Sequence, residues 1–192
     1  MTAAVQLIQQ GIHEGKEKSL AELYHLYNKK LIQFSKAITR SQELAEEAVE
    51  DVFVKLWSQR HKILEIENLS VYLYVAIKNT SLNILSRKIT SGIHSSFDNM
   101  DIEINSNSAT PYDILLSAEM MLQLQQAIES LPSRCKTVFK LVREDGLRYK
   151  EVAAIMNISV NTIDVHMANA IAKITAILHS AGVQSSLFKR PL

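Results

Sequence analysis

The sequence is poor in the residues that build disulfide-bonded, zinc-binding or membrane-spanning proteins. It has one cysteine, Cys135, in 192 residues, which excludes an internal disulfide and a cysteine-rich zinc site. We expect that thiol to act as a small buried hydrophobic group. The longest apolar runs are far shorter than a bilayer span, and the first ten residues, MTAAVQLIQQ, lack the features of a signal peptide. We therefore expect a globular, cytoplasmic protein.

The sequence also lacks a strong excess of either charge, with a formal net charge of +1. Lys and Arg outnumber Asp and Glu by 10 to 8 over residues 19–88 and by 7 to 6 over 118–180. Residues 89–117 between them carry four acids and no base. Because tight binding to duplex DNA depends on many cationic contacts, neither block should hold DNA firmly alone. Any DNA contact should need a partner, which favours a subunit over a solitary repressor.

Recognisable catalytic and cofactor-binding patterns are absent as well. The sequence shows no internal repeat, no nucleotide-binding glycine loop and no metal-ligand spacing, and its six histidines are scattered. No Ser, His and Asp set is suggested by proximity in the chain. An enzyme is therefore the poorest interpretation, and we expect no catalytic residue, no metal, no cofactor and no small-molecule substrate.

The most informative stretch is YKEVAAIMNISVNTIDVHMANAIAK, residues 149–173, which predicts two helices joined by a tight turn. Apolar residues recur at helical spacing along the second helix: Val160, Ile163, Met167, Ile171 and Ile174. In the turn, Asn157 tolerates a left-handed conformation, Ile158 should enter the core and Ser159 can cap the next helix. The pattern is that of a helix-turn-helix.

The outer face of that second helix carries short polar side chains. With the apolar stripe turned inward, the residues facing outward are Asn161, Thr162, Val165, His166 and Asn169. Amides and hydroxyls in such a row can contact base edges in a major groove, and Lys173 farther along is predicted to contact a phosphate. A plain helical hairpin with a solvated face fits the same residues, since no Lys or Arg lies between Glu151 and Ala172.

The amino-terminal half predicts helices over residues 3–10 and 16–38, with Gly11 and Gly15 forming a loose joint between them. In the longer helix, one face collects the apolar and aromatic residues Leu20, Leu23, Tyr24, Tyr27, Leu31 and Phe34. This face should be buried in a helical core.

The next helix, over residues 41–57, has Ser41 as its predicted N-cap. Its buried stripe should be Ala45, Val49, Val52, Phe53 and Leu56. Apolar character extends past that stripe at Val54 and Trp57, beside several acids. Two interpretations fit: a core edge flanked by solvated acids, or a docking surface for a protein partner.

A further helix is predicted over residues 70–88, after the polar and irregular stretch 59–70. It interleaves aromatic rings with positive charge at Tyr72, Tyr74, Lys78, Arg87 and Lys88. That combination can stack unpaired bases and follow a phosphate backbone, although ordinary helix surfaces also carry Tyr and Lys. Asn79 should lie at the seam between core and surface, because it belongs to the residues that repeat at helical spacing along this helix: Tyr72, Val75, Ala76, Asn79, Leu82 and Leu85.

These patterns together predict an all-α protein of two small helical domains. The first domain spans 1–88, a polar acidic linker spans 89–111, the domain with the helix-turn-helix spans 112–182 and a tail spans 183–192. The linker is rich in Ser, Asn and Asp and shows no sustained period, so it should not fold alone.

Over residues 19–178 the chain resembles an extracytoplasmic-function (ECF) RNA polymerase sigma factor. The segments SLAELYHLYNKKLIQFSKAI, ELAEEAVEDVFVKLW and YLYVAIKNTSLNILSRK resemble sigma region 2. The segment AIESLPSRCKTVFKLVREDGLRYKEVAAIMNISVNTIDVHMANAIAKI resembles region 4. Two blocks in the family's order, joined by a polar linker, are more specific than either block alone.

The resemblance implies roles for particular residues. The face with Glu47, Glu50, Asp51 and Lys55 would dock on a coiled coil of the largest subunit of core RNA polymerase. The loop 62–70 and the next helix would capture unpaired non-template bases of the minus-ten promoter element, through Tyr74, Lys78, Asn79, Arg87 and Lys88. The second helix of region 4 would enter the major groove of the minus-thirty-five element, through Ser159, Asn161, Thr162, Val165, His166, Asn169 and Lys173. An anti-sigma factor is an expected further partner.

Other interpretations remain open at the level of sequence. Many family members carry Lys or Arg where this recognition helix has Asp164 and His166. The same helix-turn-helix also resembles the carboxyl-terminal domain of LuxR-type regulators, which would make the first block a sensor or receiver domain. A helical adaptor that binds proteins without promoter preference is a third possibility.

Overall fold

The structure, a computed structural model, describes residues 3–90 and 118–180. Every regular element among these residues is helical, and they form two compact units. The predicted all-α, two-domain fold is therefore confirmed. The tail 183–192 lies outside the described residues, as do residues 112–117 and the predicted linker apart from 89 and 90. None of the helices in the described ranges is both long and apolar enough to cross a bilayer.

The first unit contains four α-helices and one 3-10 helix. They are α1 (Ala3–His13), α2 (Glu17–Thr39), α3 (Gln42–Ser58), the 3-10 helix (Arg60–Glu65) and α4 (Leu69–Thr90). The stretch 59–70, expected to be irregular, thus holds a short helix. The core of the first unit lies where α2, α3 and α4 meet, and includes Leu23, Phe34, Val49, Val52, Leu73 and Ile77.

Local chemistry explains where these helices begin and end. The hydroxyl of Ser41 accepts a hydrogen bond from the Leu44 amide at 3.3 Å, which confirms the predicted N-cap of α3. The joint before α2 is shorter than expected, because Gly11 lies inside α1 and only Gly15 takes a left-handed conformation, with φ of 79°. Gly11 is required for a different reason: a β carbon there would collide with the Ser19 hydroxyl.

The second unit contains α5 (Ala118–Glu129), α6 (Ser133–Arg143), α7 (Tyr149–Met156) and α8 (Val160–Ser180). The turn between α7 and α8 has the predicted chemistry, with Asn157 left-handed at φ of 57° and the Ser159 hydroxyl accepting from the Thr162 amide at 3.1 Å. Two buried lysines of α6 bind the carboxylate of Glu129 at the end of α5, Lys136 at 3.1 Å and Lys140 at 2.8 Å. The helix-turn-helix is thereby packed on a fixed pair of helices.

The inward stripe of α8 is formed by Ile163, Met167, Ala170, Ile174 and Leu178. Two of the five residues predicted for this stripe lie elsewhere. Val160, the first residue of α8, is 41% exposed. Ile171 is half-buried at the edge of the stripe.

Candidate nucleic-acid and partner-binding surfaces

The outer row of α8 consists of uncharged side chains. Asn161, Val165 and Asn169 are exposed as predicted, and Ala168 and Ala172 share their face of the helix. Val165 is 56% exposed, which water alone does not favour for a branched apolar side chain. The row therefore offers amide groups and methyl groups, but no formal charge. Asp164 is exposed at its edge.

The hydroxyls at the start of α8 are bonded to each other. Ser159 Oγ lies 2.8 Å from Thr162 Oγ1 and also caps the Thr162 amide. Ser159 is exposed and Thr162 is half-buried. Ser159 is thus the N-cap of the helix, and its hydroxyl is tied to that of Thr162.

His166 lies on the flank of α8 and not in its outer row. The ring is half-buried, and its Nδ1 atom is 3.2 Å from the Cys135 thiol of α6. Burial lowers the pKa of His166, and the positive charge of Arg134 lowers it further, so the ring is neutral near pH 7. Burial also raises the pKa of the Cys135 thiol, which agrees with the buried role expected for that residue.

Lys173 has a partner within the protein. Its Nζ atom donates to the backbone carbonyl of Ser130 at 2.6 Å, just beyond the end of α5. The ammonium group thereby satisfies a carbonyl that the helix end leaves free. Its predicted role as a phosphate contact stays a prediction, and a phosphate would compete with this carbonyl.

The outer face of α3 carries the four residues expected to dock on polymerase: Glu47, Glu50, Asp51 and Lys55, all exposed. Val54 lies among them and is 69% exposed. Trp57 is half-buried, since the guanidinium of Arg60 lies 5.0 Å from the centre of its ring. The face is thus acidic around one exposed apolar side chain, Val54. Trp57, near the carboxyl end of α3, is partly covered by Arg60.

The structure corrects one residue of the predicted minus-ten surface. Tyr74 is only 1% exposed, and its ring packs edge-on against Phe34 at 5.1 Å between ring centres. The ring is part of the core and cannot stack on a base in this position. The stripe predicted for this helix had Tyr72 facing inward and is wrong, because apolar residues lie on more than one side of α4 and spacing does not choose between them. The buried residues of the helix include Leu69, Leu73, Tyr74, Ile77, Ser81 and Ile84. Tyr72 is half-buried.

The remaining members of that surface lie closer to solvent. Asn79 and Arg87 are exposed, whereas Lys78 is half-buried and burial lowers its pKa. The side chain of Lys88 lies outside the described residues. His61 and Lys62, exposed on the 3-10 helix, add basic character that the sequence reasoning did not assign to particular residues. The run Arg60-His61-Lys62 was the available signal.

No group of three or more potential metal ligands occurs within residues 3–90 and 118–180. Three surfaces stand out in these ranges: an acidic helix face with an apolar centre, a basic segment beside α4, and an uncharged helix face in a helix-turn-helix.

Comparison with known families assigns both units. The family described as Sigma-70 region 2 matches residues 23–89, from within α2 to the end of α4. The family described as Sigma-70, region 4 matches residues 121–174, from α5 into α8. The match of the first unit to region 2, together with the absence of strands from the described residues, rules out the receiver domain that the LuxR-type alternative requires.

Individual relatives agree with this assignment. The chain is 26% identical over 164 residues to the ECF RNA polymerase sigma-E factor of Escherichia coli (strain K12), covering 82% of this chain and 85% of that one. It is 23% identical over 163 residues to the ECF RNA polymerase sigma factor SigW of Bacillus subtilis (strain 168), covering 79% and 84%.

Two solved structures have a similar fold. One is CnrH in complex with the cytosolic domain of CnrY, with a TM-score of 0.55, 16% identity, and coverage of 93% of this chain and 99% of that one. The other is the sigma factor RpoE in complex with the anti-sigma factor NepR from Bartonella quintana, with a TM-score of 0.53, 18% identity, and coverage of 84% and 98%.

Proposed function

Because the chain belongs to the ECF type of the sigma-70 family, we propose that it binds core RNA polymerase and directs it to a particular set of promoters. The observation that carries this proposal is the presence of both matched units in one chain, each with an exposed face suited to its part. The polymerase supplies the chemistry, so we assign this chain no catalytic residue and no cofactor. Its place of action is the cytoplasm.

The proposed docking surface is the outer face of α3. Glu47 and Asp51 flank Val54 on this face, and all three are exposed. An exposed acidic surface with a small apolar centre complements a basic surface that has a shallow apolar pocket. We assign the polymerase contact to this face and include Glu50 and Lys55 at its edges.

The proposed minus-ten surface combines the 3-10 helix with the outer side of α4. Lys62, Asn79 and Arg87 are exposed, and Lys78 lies partly behind them. Positive and amide groups of this kind suit the phosphates and base edges of a single strand. Lys88 stays in the proposal from sequence alone, and Tyr74 is withdrawn from it because its ring is in the core.

The proposed minus-thirty-five surface is the outer row of α8. Asn161 and Asn169 can each pair with the N6 and N7 atoms of adenine, and Val165 can pack against the methyl group of thymine. The row has no Lys or Arg, so it cannot pair with guanine in the usual bidentate way. It should favour A·T over G·C pairs beneath it, while His166, Thr162 and Ser159 contact the backbone or the first base.

An anti-sigma factor is proposed as a further partner. Both similar solved structures were determined as complexes, one of them with a named anti-sigma factor, which supports extending this kind of partner to the present chain. A protein that qualifies must inhibit transcription by the reconstituted enzyme and compete with core polymerase. Binding without inhibition would count against this assignment.

Transcription reconstituted with purified core polymerase tests the main proposal. Adding the chain to core polymerase and a library of bacterial promoters should give discrete transcripts from a subset of them. Core polymerase alone supplies the baseline. A chain that binds polymerase but yields no promoter-dependent transcript would instead be the helical adaptor considered above.

A further inference from the structure

Helix α1 lies outside the segment matched to sigma region 2, which begins at residue 23. It is nevertheless built into the first unit, with Val5, Gln9 and Ile12 buried on one face. Gln9 is a polar residue only 4% exposed. A buried amide needs hydrogen-bond partners, so the groups that it binds indicate what the helix holds.

The partners of Gln9 are two backbone carbonyls of the 3-10 helix and its end. Gln9 Nε2 donates to the carbonyl of Ile63 at 3.1 Å and to the carbonyl of Ile66 at 3.1 Å. A primary amide has two N–H groups, so it can serve both carbonyls at once. The Ile63 carbonyl also accepts from the Ile66 amide at 3.2 Å, which makes this the point where the 3-10 helix closes.

The position of α1 itself is fixed by close packing. Ser19 of α2 approaches Gly11 so closely that a β carbon at position 11 would clash with its side chain. At the joint, a β carbon on Gly15 would lie 3.8 Å from Nε of Arg60, the first residue of the 3-10 helix. That spacing is an ordinary one and does not fix Arg60, whose guanidinium instead donates to the Trp57 carbonyl at 3.2 Å. The hold of α1 on the 3-10 helix is therefore at its carboxyl end, where Gln9 binds the Ile63 and Ile66 carbonyls.

The segment held in this way carries proposed promoter contacts. His61 and Lys62 are exposed on the 3-10 helix, and Ile63 beneath them is buried. A six-residue 3-10 helix has strained hydrogen bonds and little stability of its own, so its shape depends on outside contacts. Without Gln9, two buried or partly buried carbonyls would lose a donor.

We propose that α1 is a positioning element for promoter opening, in which the Gln9 amide holds the segment 60–66 in the conformation that captures unpaired bases of the minus-ten element. This inference rests on the proposed sigma function. Gln9 touches no DNA in this scheme and acts through the backbone of the segment. Its loss should therefore affect base capture and leave polymerase docking through α3 intact.

The test compares Gln9→Met with Gln10→Met in the full chain bound to core polymerase. Methionine matches glutamine in length and suits a helix, so it keeps the packing of α1 but removes both donors. Gln10 is the neighbouring control, since it is exposed and its amide bonds only to Glu14 of the following turn. Three quantities are measured: core polymerase affinity, binding of a single-stranded non-template minus-ten oligonucleotide by the holoenzyme, and transcription from duplex and pre-opened templates.

Gln9→Met should lower oligonucleotide binding and duplex-template transcription by about tenfold, because one buried and one partly buried carbonyl each lose the Gln9 donor. A pre-opened template should recover part of that loss, and polymerase affinity should stay within about twofold of wild type. Gln10→Met should behave as wild type. Gln9→Glu, which replaces the donors with a charge facing two carbonyl oxygens, should exceed the effect of Gln9→Met.

Two results would overturn the inference. One is a Gln9→Met holoenzyme that captures the oligonucleotide as well as the Gln10→Met control. The other is an equal loss of polymerase affinity and oligonucleotide binding, which would make α1 a general brace of the unit. If wild-type protein itself gives no promoter-dependent transcript, the sigma function fails, whereas a working wild type with unaltered Gln9 variants refutes only the role of α1.

Discussion

Helices α3 and α8 have the same internal design and opposite outer faces. Each buries a stripe of apolar residues at three- and four-residue spacing and begins with a serine cap, at Ser41 and Ser159. The outer face of α3 presents acids around Val54, whereas the outer row of α8 presents asparagines, alanines and Val165. The two helices therefore differ in the distance over which their outer faces attract a partner.

Charges attract a partner over several ångströms, while amides and methyl groups act only on contact. The charged face of α3 suits recruitment to one abundant protein surface, and α8 suits the comparison of one base pair with another. An uncharged recognition row adds little to sequence-independent DNA binding. We therefore expect affinity and selectivity to be separated between the two units, and DNA binding to depend on prior docking.

The largest effect is expected from reversing the charge of α3. Glu47→Lys with Asp51→Lys should weaken core polymerase binding by about 2 to 3 kcal/mol, or roughly 30- to 100-fold, because like charges would meet at the interface. Both side chains are exposed, so thermal stability should change by less than about 0.5 kcal/mol per site. Fluorescence titration of labelled protein with core polymerase measures the affinity.

The matched control reverses two exposed glutamates of α2, Glu17→Lys with Glu22→Lys, which gives the same change in net charge. It should bind polymerase nearly as wild type does. Equal weakening by both pairs would mean that net charge and not the face of α3 governs docking.

A smaller and more selective effect is expected from α8. Asn161→Ala should reduce use of promoters with adenine at the contacted position by about 1 to 3 kcal/mol and leave the others nearly unchanged. The measurement is transcription from a template library randomised across the minus-thirty-five element. Gln126→Ala, which removes an exposed amide from α5 outside the proposed DNA-binding surfaces, is the control. A uniform decrease over the whole library would make Asn161 a backbone contact.

Much of the fold was predictable because it depends on local chemistry. The caps at Ser41 and Ser159 and the left-handed Asn157 follow from side chains acting on their own backbone, and the structure confirms all three. The buried stripe of α3 follows from spacing alone, and all five of its predicted residues are buried. The assignment of the outer residues to polymerase, minus-ten and minus-thirty-five contacts stays a prediction.

The features that could not be predicted are set by contacts between distant parts of the chain. Tyr74 packs edge-on against Phe34 of α2, and position 11 needs glycine because Ser19 leaves no room there for a β carbon. No sequence pattern indicated that Gln9 is buried and hydrogen-bonded, since its two acceptors are backbone carbonyls 54 and 57 residues away. Spacing identifies a helix face but not the neighbour that covers it.

Lys173 allows a test of whether the end of α8 serves DNA or the fold. Lys173→Met should lower the free energy of unfolding by up to about 1 kcal/mol, because the Ser130 carbonyl loses its charged donor. It should also reduce use of all promoters alike, since any phosphate contact is independent of sequence. Lys150→Met, an exposed lysine of α7, is the control for stability. Unchanged thermal unfolding would show that the bond to Ser130 contributes nothing.

The smallest effect concerns pH and the flank of the same helix. Burial and Arg134 lower the pKa of His166 below the value of about 6.5 that it has in an unfolded chain. At a pH between the folded and unfolded pKa values of His166, the unfolded chain binds more protons than the folded protein does. The free energy of unfolding should therefore fall as pH is lowered through about 6.5. His166→Gln cannot titrate and should show a shallower fall in melting temperature between about pH 7.5 and 5.

The control for this prediction is His179→Gln, an exposed position near the end of α8, which should keep the wild-type pH dependence. Identical curves for all three proteins would mean that protonation of His166 is not coupled to folding. A neutral His166 also matters for the contrast with α3, because a charge there would add sequence-independent attraction to phosphates beside a row otherwise free of positive charge. If α8 reads bases as proposed, a neutral ring held 3.2 Å from the Cys135 thiol leaves that readout to the amides and methyl groups of the outer row.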